Sequence, residues 1–188
     1  MSLSPVKRLI LETMWLMDKP AKASEIAKEA GLAFPPVMMH ILGLAKMKYA
    51  KTVEKGTYAV TEAGRRALGL PQISREKAAE ILAYMPVDKS FHFYADVGKP
   101  LNIYAASLGD FSDKLAKVDV PSLEFHLERG DFETWFASLG DTELARRTLL
   151  LREGKVLGEE LRSKLCETVK NRCNVLTGIR NGPPTKLA

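Results

Sequence analysis

The fold of this chain is decided by the stretch Lys55-Gly56-Thr57-Tyr58-Ala59-Val60-Thr61-Glu62-Ala63-Gly64. A basic turn at its start leads into a short predicted strand, residues 57–60. Thr61 follows directly, and its hydroxyl can accept a hydrogen bond from the unpaired amides of a first helical turn. The stretch therefore predicts a β-hairpin strand that runs straight into a helix.

Three helical patterns precede this stretch. The first covers residues 4–17 and is ended by Pro20. The second can be capped by Ser24, runs through Ala30 and is stopped by Gly31. The third, residues 35–48, begins with two prolines, which the first turn of a helix tolerates because its amides have no partners to lose. The predicted order is helix, helix, helix, two strands, helix.

This order, together with the run G-x-Y-x-V-T-x-x-G from Gly56 to Gly64, resembles the winged helix-turn-helix DNA-binding proteins of archaeal and bacterial transcriptional regulators. The resemblance covers residues 4–69. It implies that the third helix enters the major groove and that the hairpin, residues 49–60, is a wing along the phosphate backbone. The expected fold class is α+β, with an N-terminal winged helix followed by a mainly helical domain that contains a small β-hairpin.

The third helix departs from the pattern of this family. The resemblance implies that its groove-facing positions are Ala33, Phe34, Pro36, Met38, Met39, His40 and Leu42, and that Leu32, Val37, Ile41, Leu44 and Met47 are buried. Base edges present donors and acceptors, so base-reading positions usually carry polar side chains. Three interpretations stay open for this apolar face. It contacts thymine methyls and DNA shape, it docks a protein, or it is buried against the C-terminal half or a second subunit.

Basic residues surround the predicted wing, where they would contact phosphates. The full predicted DNA-binding set is Phe34, Pro36, Met38, Met39, His40, Lys46, Lys48, Lys51, Lys55, Arg65 and Arg66. Residues 1–70 hold 11 Lys and Arg against 6 Asp and Glu, whereas residues 71–188 hold 17 of each. The net charge of +5 therefore lies in the N-terminal half, which fits a nucleic-acid surface. The alternative is a solvated hairpin with ordinary lysines.

The composition is that of a globular protein, with 46% hydrophobic and 27% charged residues. No apolar run approaches the roughly 20 residues that span a bilayer, and the first eight residues lack a signal core, so a cytoplasmic location is expected. Cys166 and Cys173 lie seven residues apart on one predicted helix, roughly 10 Å by helical rise, which is too far for a disulfide within it. The two cysteines are therefore expected either to be buried structural residues or to form a disulfide across subunits.

The second half is predicted as a linker helix within residues 71–87, capped by Ser74, an α+β domain over 88–177 and a flexible tail, 178–188. A hairpin is predicted from residues 91–94 and 101–107, with a longer loop between. Helix starts are predicted at Ser112, Pro121, Asp131 and Asp141. The runs Ser122 to Trp135 and Gly140 to Ala145 resemble an uncharacterised archaeal and bacterial domain family over about residues 88–176. That resemblance implies a domain boundary and no activity.

No catalytic or metal-binding pattern emerges from the second half, and no cofactor is expected. His126 has Glu124, Glu128 and Asp131 nearby in sequence, but a structural zinc site usually has four Cys or His ligands. The alternative is that His126 pairs within the turn at Gly130. A second possible site combines two arginines with aromatic residues in an anion or aromatic pocket, unless those aromatics are simply core: Arg146, Arg147, Tyr94, Tyr104 and Trp135.

The first functional hypothesis is a DNA-binding transcriptional regulator that binds double-stranded DNA as a homodimer, with a C-terminal domain that dimerises or senses an effector. The second is a protein-interaction module in which the apolar third helix docks a protein partner and DNA is not touched. An enzyme in the C-terminal half is a third hypothesis. It would need a polar, concave pocket near His126 or Arg146.

Overall fold

The structure, a computed structural model, describes residues 3–182. It divides into two compact units, Met1–Gln72 and Ile73–Ala188. Within the described residues, helices are combined with two small antiparallel sheets, so the predicted α+β class is confirmed. None of the helices in this part of the chain combines the length and the apolar character that crossing a bilayer requires.

The N-terminal unit contains four helices and three short strands: α1 Pro5–Leu16, β1 Ala21–Lys22, α2 Ala23–Glu29, α3 Phe34–Lys46, β2 Ala50–Thr52, β3 Thr57–Val60 and α4 Glu62–Ala67. The three strands form one antiparallel sheet in the order β1-β3-β2. The sequence predicted β2 and β3 but not β1, which has only two residues and forms because Ala21 lies opposite Tyr58.

Thr61 has the predicted capping role. Its hydroxyl oxygen accepts from the backbone N–H of Gly64 at 3.1 Å and donates to the carbonyl oxygen of Lys48 at 2.6 Å. The same side chain therefore begins α4 and ties it to the residues that follow α3. Gly64 lies so close to the hairpin that a Cβ there would overlap the Tyr49 carbonyl oxygen and lie 2.9 Å from Val60 Cγ1.

The cap of the second helix lies two residues earlier than predicted. The cap position is Lys22 rather than Ser24, because the Glu25 carboxylate accepts from the backbone N–H of Lys22 at 2.8 Å. A carboxylate in the first helical turn thus reaches back to the amide of the cap residue itself, which is one half of a capping box.

Up to residue 182, the C-terminal unit contains six helices, a single 3₁₀ turn and a hairpin: α5 Arg75–Leu82, the turn Val87–Lys89, β4 Phe91–Asp96, β5 Lys99–Ala105, α6 Leu108–Leu115, α7 Val120–Arg129, α8 Asp131–Ser138, α9 Thr142–Glu153 and α10 Gly158–Asn181. The long helix α10 packs against α5, α6, α7 and α9. Its residues Leu161, Leu165, Val169 and Leu176 are buried. This helix is the centre of the unit.

The predicted boundaries of the hairpin and of the helix that follows it are wrong. The strands of the hairpin extend to Asp96 and from Lys99, so its turn is tight where a longer loop was expected, and Gly98 supplies a φ of +73° there. Helix α6 is capped by Ser107, whose hydroxyl accepts from Asp110 N–H at 3.1 Å, and not by Ser112. Strand β5 ends at Ala105, so Ser107 is the first capping side chain that the chain reaches.

The predicted linker helix belongs to this unit. Ser74 caps α5 as predicted, accepting from the Lys77 N–H at 3.1 Å, and Ala78 and Ile81 are part of the C-terminal core. At the other end, α10 continues to Asn181 and so includes the first residues of the predicted tail. Residues 183–188 of that tail lie outside the described residues.

A buried ion cluster joins α9 to α10. It consists of Asp141, Glu143, Arg147 and Arg172, and each of these residues is at most 7% exposed. The Arg172 guanidinium donates to both carboxylate oxygens of Asp141, at 2.7 and 2.9 Å, and to Glu143 Oε2 at 2.7 Å. Asp141 also caps α9 as predicted, by accepting from the Leu144 N–H at 3.0 Å. Sequence reasoning did not single out Arg172.

Candidate functional site

The third helix of the N-terminal unit presents an uncovered apolar surface, which we call the α3 face and define as Phe34, Met38, Met39 and Leu42. Phe34 is 50%, Met39 74% and Leu42 53% exposed, whereas Met38 is half-buried and accepts a long hydrogen bond from the Tyr58 hydroxyl at 3.9 Å. Residues 34, 38 and 42 follow the four-residue spacing that places side chains along one line of a helix. On this line Met38 contacts Tyr58 of β3, whereas Phe34 and Leu42 at its two ends are exposed.

The remaining predicted positions of α3 divide between surface and core. Pro36 is exposed and His40 is half-buried. Val37, Ile41 and Leu44 are buried and pack in the core of the unit. The expected inner face of the helix is thus present, while Leu32 and Met47, which were also expected inside, are only half-buried.

The predicted phosphate-binding cations lie on exposed backbone around the hairpin. Lys46, Lys48, Lys51, Lys55 and Arg66 are exposed. In register, Lys51 lies opposite Ala59, and the preceding residue of its strand is buried, so the Lys51 side chain lies on the outer face of the sheet. Arg65 is half-buried, and its Nε lies 3.8 Å from Glu62 Oε1.

Two contacts bring the predicted basic segments together. The hydrogen bond from the Thr61 hydroxyl to the Lys48 carbonyl joins the end of α3 to the start of α4. Gly64 packs directly on the Tyr49 carbonyl at the start of the hairpin. The lysines that follow α3 and the arginines of α4 are therefore held on neighbouring backbone, although they are well separated in sequence.

A second candidate site is a cavity of about 450 Å³ in the C-terminal unit. It lies beside the β4–β5 hairpin and the α7–α8 pair, and we call it the aromatic cavity. The residues that matter for its chemistry are Phe91, Tyr94, Phe125, His126, Arg129 and Trp135. Of the aromatic pocket expected from sequence, Tyr94 and Trp135 do line it. Arg147 instead belongs to the buried ion cluster, and Tyr104 stacks on His92 at 5.7 Å.

His126 is a structural residue of the cavity wall. Its Nε2 accepts from the backbone N–H of Tyr94 at 2.9 Å, so the ring proton is on Nδ1, which donates to Asp131 Oδ2 at 2.8 Å. Both ring nitrogens are used, which leaves neither to bind a metal or to act as a base. The predicted pairing of His126 within the turn at Gly130 is confirmed.

The other carboxylates near His126 in sequence point elsewhere. Glu124 accepts from the backbone N–H of Gly158 at 2.7 Å, and Glu128 is exposed. Over residues 3–182, no three or more His, Cys, Asp or Glu side chains cluster in a way that could hold a metal ion.

Asp131 does not cap α8 as predicted. It is the first residue of that helix, and the cap position is Gly130, which has a φ of +73°. The Asp131 carboxylate is turned to Arg129, whose Nε donates to Oδ2 at 3.1 Å. The guanidinium of Arg129 also lies 5.2 Å from the centre of the Phe125 ring. A carboxylate and an aromatic face therefore fix the arginine at the cavity rim.

The neutral state of His126 gives a testable pH dependence. Burial lowers the pKa of His126 from 6.5, and the hydrogen bond that His126 donates to Asp131 only partly opposes this effect. As the pH falls below about 6.5, the unfolded chain gains a proton that the folded chain does not, so the free energy of unfolding falls. The decrease should continue until the pH passes the lower, folded-state pKa.

The measurement is urea unfolding of the full chain, followed by the indole NMR signal of Trp135, at about pH 7.5 and about pH 5.5. In His126→Gln, which cannot titrate, the drop between these two pH values should be smaller than in the wild type. His92→Gln, which changes an exposed histidine of the same unit, is the control and should keep the wild-type drop. An equal drop in all three proteins would contradict the assignment.

The two cysteines are free thiols of low reactivity. Burial raises the pKa of Cys173 to about 11 and also raises the pKa of Cys166, so the thiolate, which is the reactive form, is scarce at neutral pH. Both lie on α10 and pack against the C-terminal core.

Comparison of the chain with protein-family models, with curated proteins and with solved structures found no match. The functional assignment below therefore rests on the residues of this chain alone.

Proposed function

We propose that this protein is a DNA-binding transcriptional regulator whose N-terminal unit is a winged helix. The order of its elements supports the proposal: three helices, then the hairpin β2–β3, then α4, with the short strand β1 completing a three-stranded sheet. In this arrangement α3 is the helix offered to the major groove, and the β2–β3 hairpin is the wing. The protein acts by binding, without catalysis.

The observation that carries the proposal is the series of exposed lysines from the end of α3 through the hairpin. Lys46, Lys48, Lys51 and Lys55 are all exposed, and Glu54 is the only carboxylate in that segment. Cations on a hairpin beside a groove-binding helix neutralise phosphates, which supplies affinity and fixes position without reading sequence. The absence of a net charge on the C-terminal half argues against general charge scatter.

The composition of α3 determines what kind of DNA binding is expected. Phe34, Met38 and Met39 offer no hydrogen bonds to base edges, so they would contact thymine methyls and the groove wall. His40 is the one side chain among these positions with a polar ring. We therefore expect weak sequence preference and binding that decreases steeply with salt.

The C-terminal unit completes the proposal as the part that pairs two copies or receives an effector. Helix-turn-helix regulators commonly bind two half-sites as dimers, so a homodimer on double-stranded DNA is the expected assembly. The mass of the protein in solution, alone and with a duplex, tests whether it is a dimer.

The test is Lys51→Glu combined with Lys55→Glu. Because each protomer would lose two phosphate contacts, affinity should fall on all duplex sequences alike, and the slope of log affinity against log salt should shrink by about 2 for each bound protomer. Binding of the wild type and the variant to a random duplex library, by selection and sequencing at low and physiological salt, measures both. The matched control is Lys164→Glu with Lys170→Glu, which reverses two exposed charges of α10 and should leave binding unchanged.

If the variant lost affinity for one DNA sequence only, this result would contradict phosphate contacts by the wing. No binding by the wild type at either salt would remove the DNA proposal altogether.

A second candidate function is a protein-interaction module, favoured by one observation. The α3 face leaves Met39 74% and Leu42 53% exposed, and exposed apolar patches mark protein contacts. The double variant Phe34→Ser with Met39→Ser separates the two functions. A DNA-binding protein would keep most of its salt-dependent affinity in this variant, whereas a docking module would lose its protein partner and would not bind DNA in either form.

A further inference from the structure

The walls of the aromatic cavity are rings held in fixed positions. Trp135 is oriented by its indole N–H, which donates to the Lys89 carbonyl at 3.2 Å, and its ring lies 5.5 Å from Phe91. The backbone at Tyr94 is fixed from both sides, by His126 and by the Ser122 hydroxyl, which donates to the Tyr94 carbonyl at 2.7 Å. Because the side chains of these apolar walls are already fixed, little conformational entropy is lost when a flat ring binds between them. A volume of about 450 Å³ is within the range of small-molecule sites.

Arg129, at the rim of the aromatic cavity, has hydrogen-bond donors that no described residue of the chain uses. Its Nε donates to Asp131 and its guanidinium lies over Phe125, while its terminal NH₂ groups have no acceptor among the described residues. Arginine has five N–H donors in a planar fork, and the terminal pair matches the two oxygens of a carboxylate. Because Asp131 and Phe125 already hold the guanidinium, a bound anion need not order it.

The same lining disfavours a cationic ligand. Its two carboxylates are already engaged, since Asp96 accepts from Lys99 at 3.0 Å and from the Val97 N–H, and Asp131 accepts from His126 and Arg129. The charge of Arg129 would also repel a cation from the rings that could otherwise bind it. His126 is neutral and has no nitrogen left to contribute.

From these features we propose that the aromatic cavity binds a small aromatic carboxylate. The ring of the ligand enters between Trp135, Tyr94 and Phe125, and its carboxylate receives two hydrogen bonds from the terminal NH₂ groups of Arg129. This would make the C-terminal unit the effector-binding part of the protein. The binding itself does not depend on whether the N-terminal unit binds DNA.

The experiment uses 1-naphthoate as the probe and 1-naphthamide as its uncharged match, titrated separately into the full chain labelled with ¹⁵N. The chain has two tryptophans, Trp15 in the N-terminal unit and Trp135 in the cavity wall, so their indole signals report on the two units separately. Naphthoate should shift the Trp135 signal in a saturable way and leave the Trp15 signal in place. Its affinity should exceed that of the amide by about tenfold, as expected for a charge-assisted pair.

Arg129→Gln tests the residue. It should weaken naphthoate binding by about tenfold and abolish the preference over naphthamide. Arg129→Lys keeps the charge but not the fork and should recover part of that preference. Lys164→Gln, which removes an exposed cation of α10, is the matched control and should bind both probes like the wild type.

Two results would overturn the proposal. One is a Trp135 signal that does not move at millimolar naphthoate, and the other is equal affinity of the wild type for acid and amide. Arg129 also contacts Asp131, which binds His126, and His126 accepts from the Tyr94 amide. The NMR signal of the Tyr94 amide therefore checks that each variant keeps the structure of the cavity wall. If Arg129→Gln loses that signal, the comparison of the two probes on the wild type decides alone.

Discussion

Replacing Arg172 by alanine is expected to lower the free energy of unfolding of the C-terminal unit by about 3–5 kcal/mol. Arg172 is 4% exposed and satisfies two carboxylates at once, Asp141 and Glu143, which are themselves buried. Removing one partner of a buried ion pair leaves the other charges desolvated without compensation, which costs more than the pair contributed. Arg147 lies 3.5 Å from Glu143, so the cluster contains a second arginine, but the two hydrogen bonds that Arg172 donates to Asp141 would be lost.

The measurement is urea unfolding followed by the Trp135 indole signal. A domain of this size has a total stability of about 5–15 kcal/mol, so the loss is a large fraction of it and the urea midpoint of the variant should be much lower than that of the wild type. Lys170→Ala, on an exposed position of the same helix, is the control and should stay within about 0.5 kcal/mol of the wild type. Arg172→Lys should recover little, because a single ammonium cannot replace the planar fork. A loss below about 1 kcal/mol in Arg172→Ala would mean that the cluster is not structural.

The second large effect is expected for Gly64→Ala, which should destabilise the N-terminal unit by about 3 kcal/mol. The added Cβ would overlap the Tyr49 carbonyl oxygen and press on Val60 Cγ1 at 2.9 Å. Neither neighbour can yield easily, since one is backbone and the other belongs to β3. The helix would have to move off the hairpin, which would also strain the Thr61 hydrogen bond to Lys48.

Gly43→Ala is the matched control in the same unit. Gly43 lies inside α3, and its nearest neighbour is the end of a flexible side chain, Lys7 Cε at 3.4 Å. Alanine is favoured over glycine inside a helix, so this variant should gain about 0.5–1 kcal/mol. The Trp15 indole signal in urea reports on both variants. If Gly64→Ala is as stable as Gly43→Ala, the close packing of α4 on the hairpin is not present in solution.

The N-terminal unit shows how far sequence reasoning reaches in this chain. The stretch from Lys55 to Gly64 predicted a strand, a capping threonine and a helix, and each of these is present. The predicted exposure of Phe34 and Met39 also agrees with the structure. What α3 contacts could not be read from its residues, because an apolar helix face suits DNA methyls, a protein surface or another part of the same protein.

In the C-terminal unit the predictions that failed involve competing side chains. Ser107 and Ser112 are both good caps, and the choice between them depends on where β5 ends. Asp131 follows a glycine, as a cap would, yet its carboxylate is drawn to His126 and Arg129 instead. The aromatic residues of the predicted hairpin strand, among them Phe91 and Tyr94, indicated one wall of the cavity, but they did not indicate which residues line its other side.

The sequence by itself determined the features that depend on neighbours within about four residues: the Thr61, Ser74 and Asp141 caps, the left-handed stop at Gly31 and the spacing that buries one side of α3. Only the tertiary structure decided which distant groups meet. Arg172 finds Asp141 across 31 positions, and Tyr94 meets His126 across 32. Caps, stops and helix faces depend on the backbone geometry of a few consecutive residues. The contacts between distant residues depend on how helices and strands pack in the folded unit, and no local sequence pattern specifies that packing.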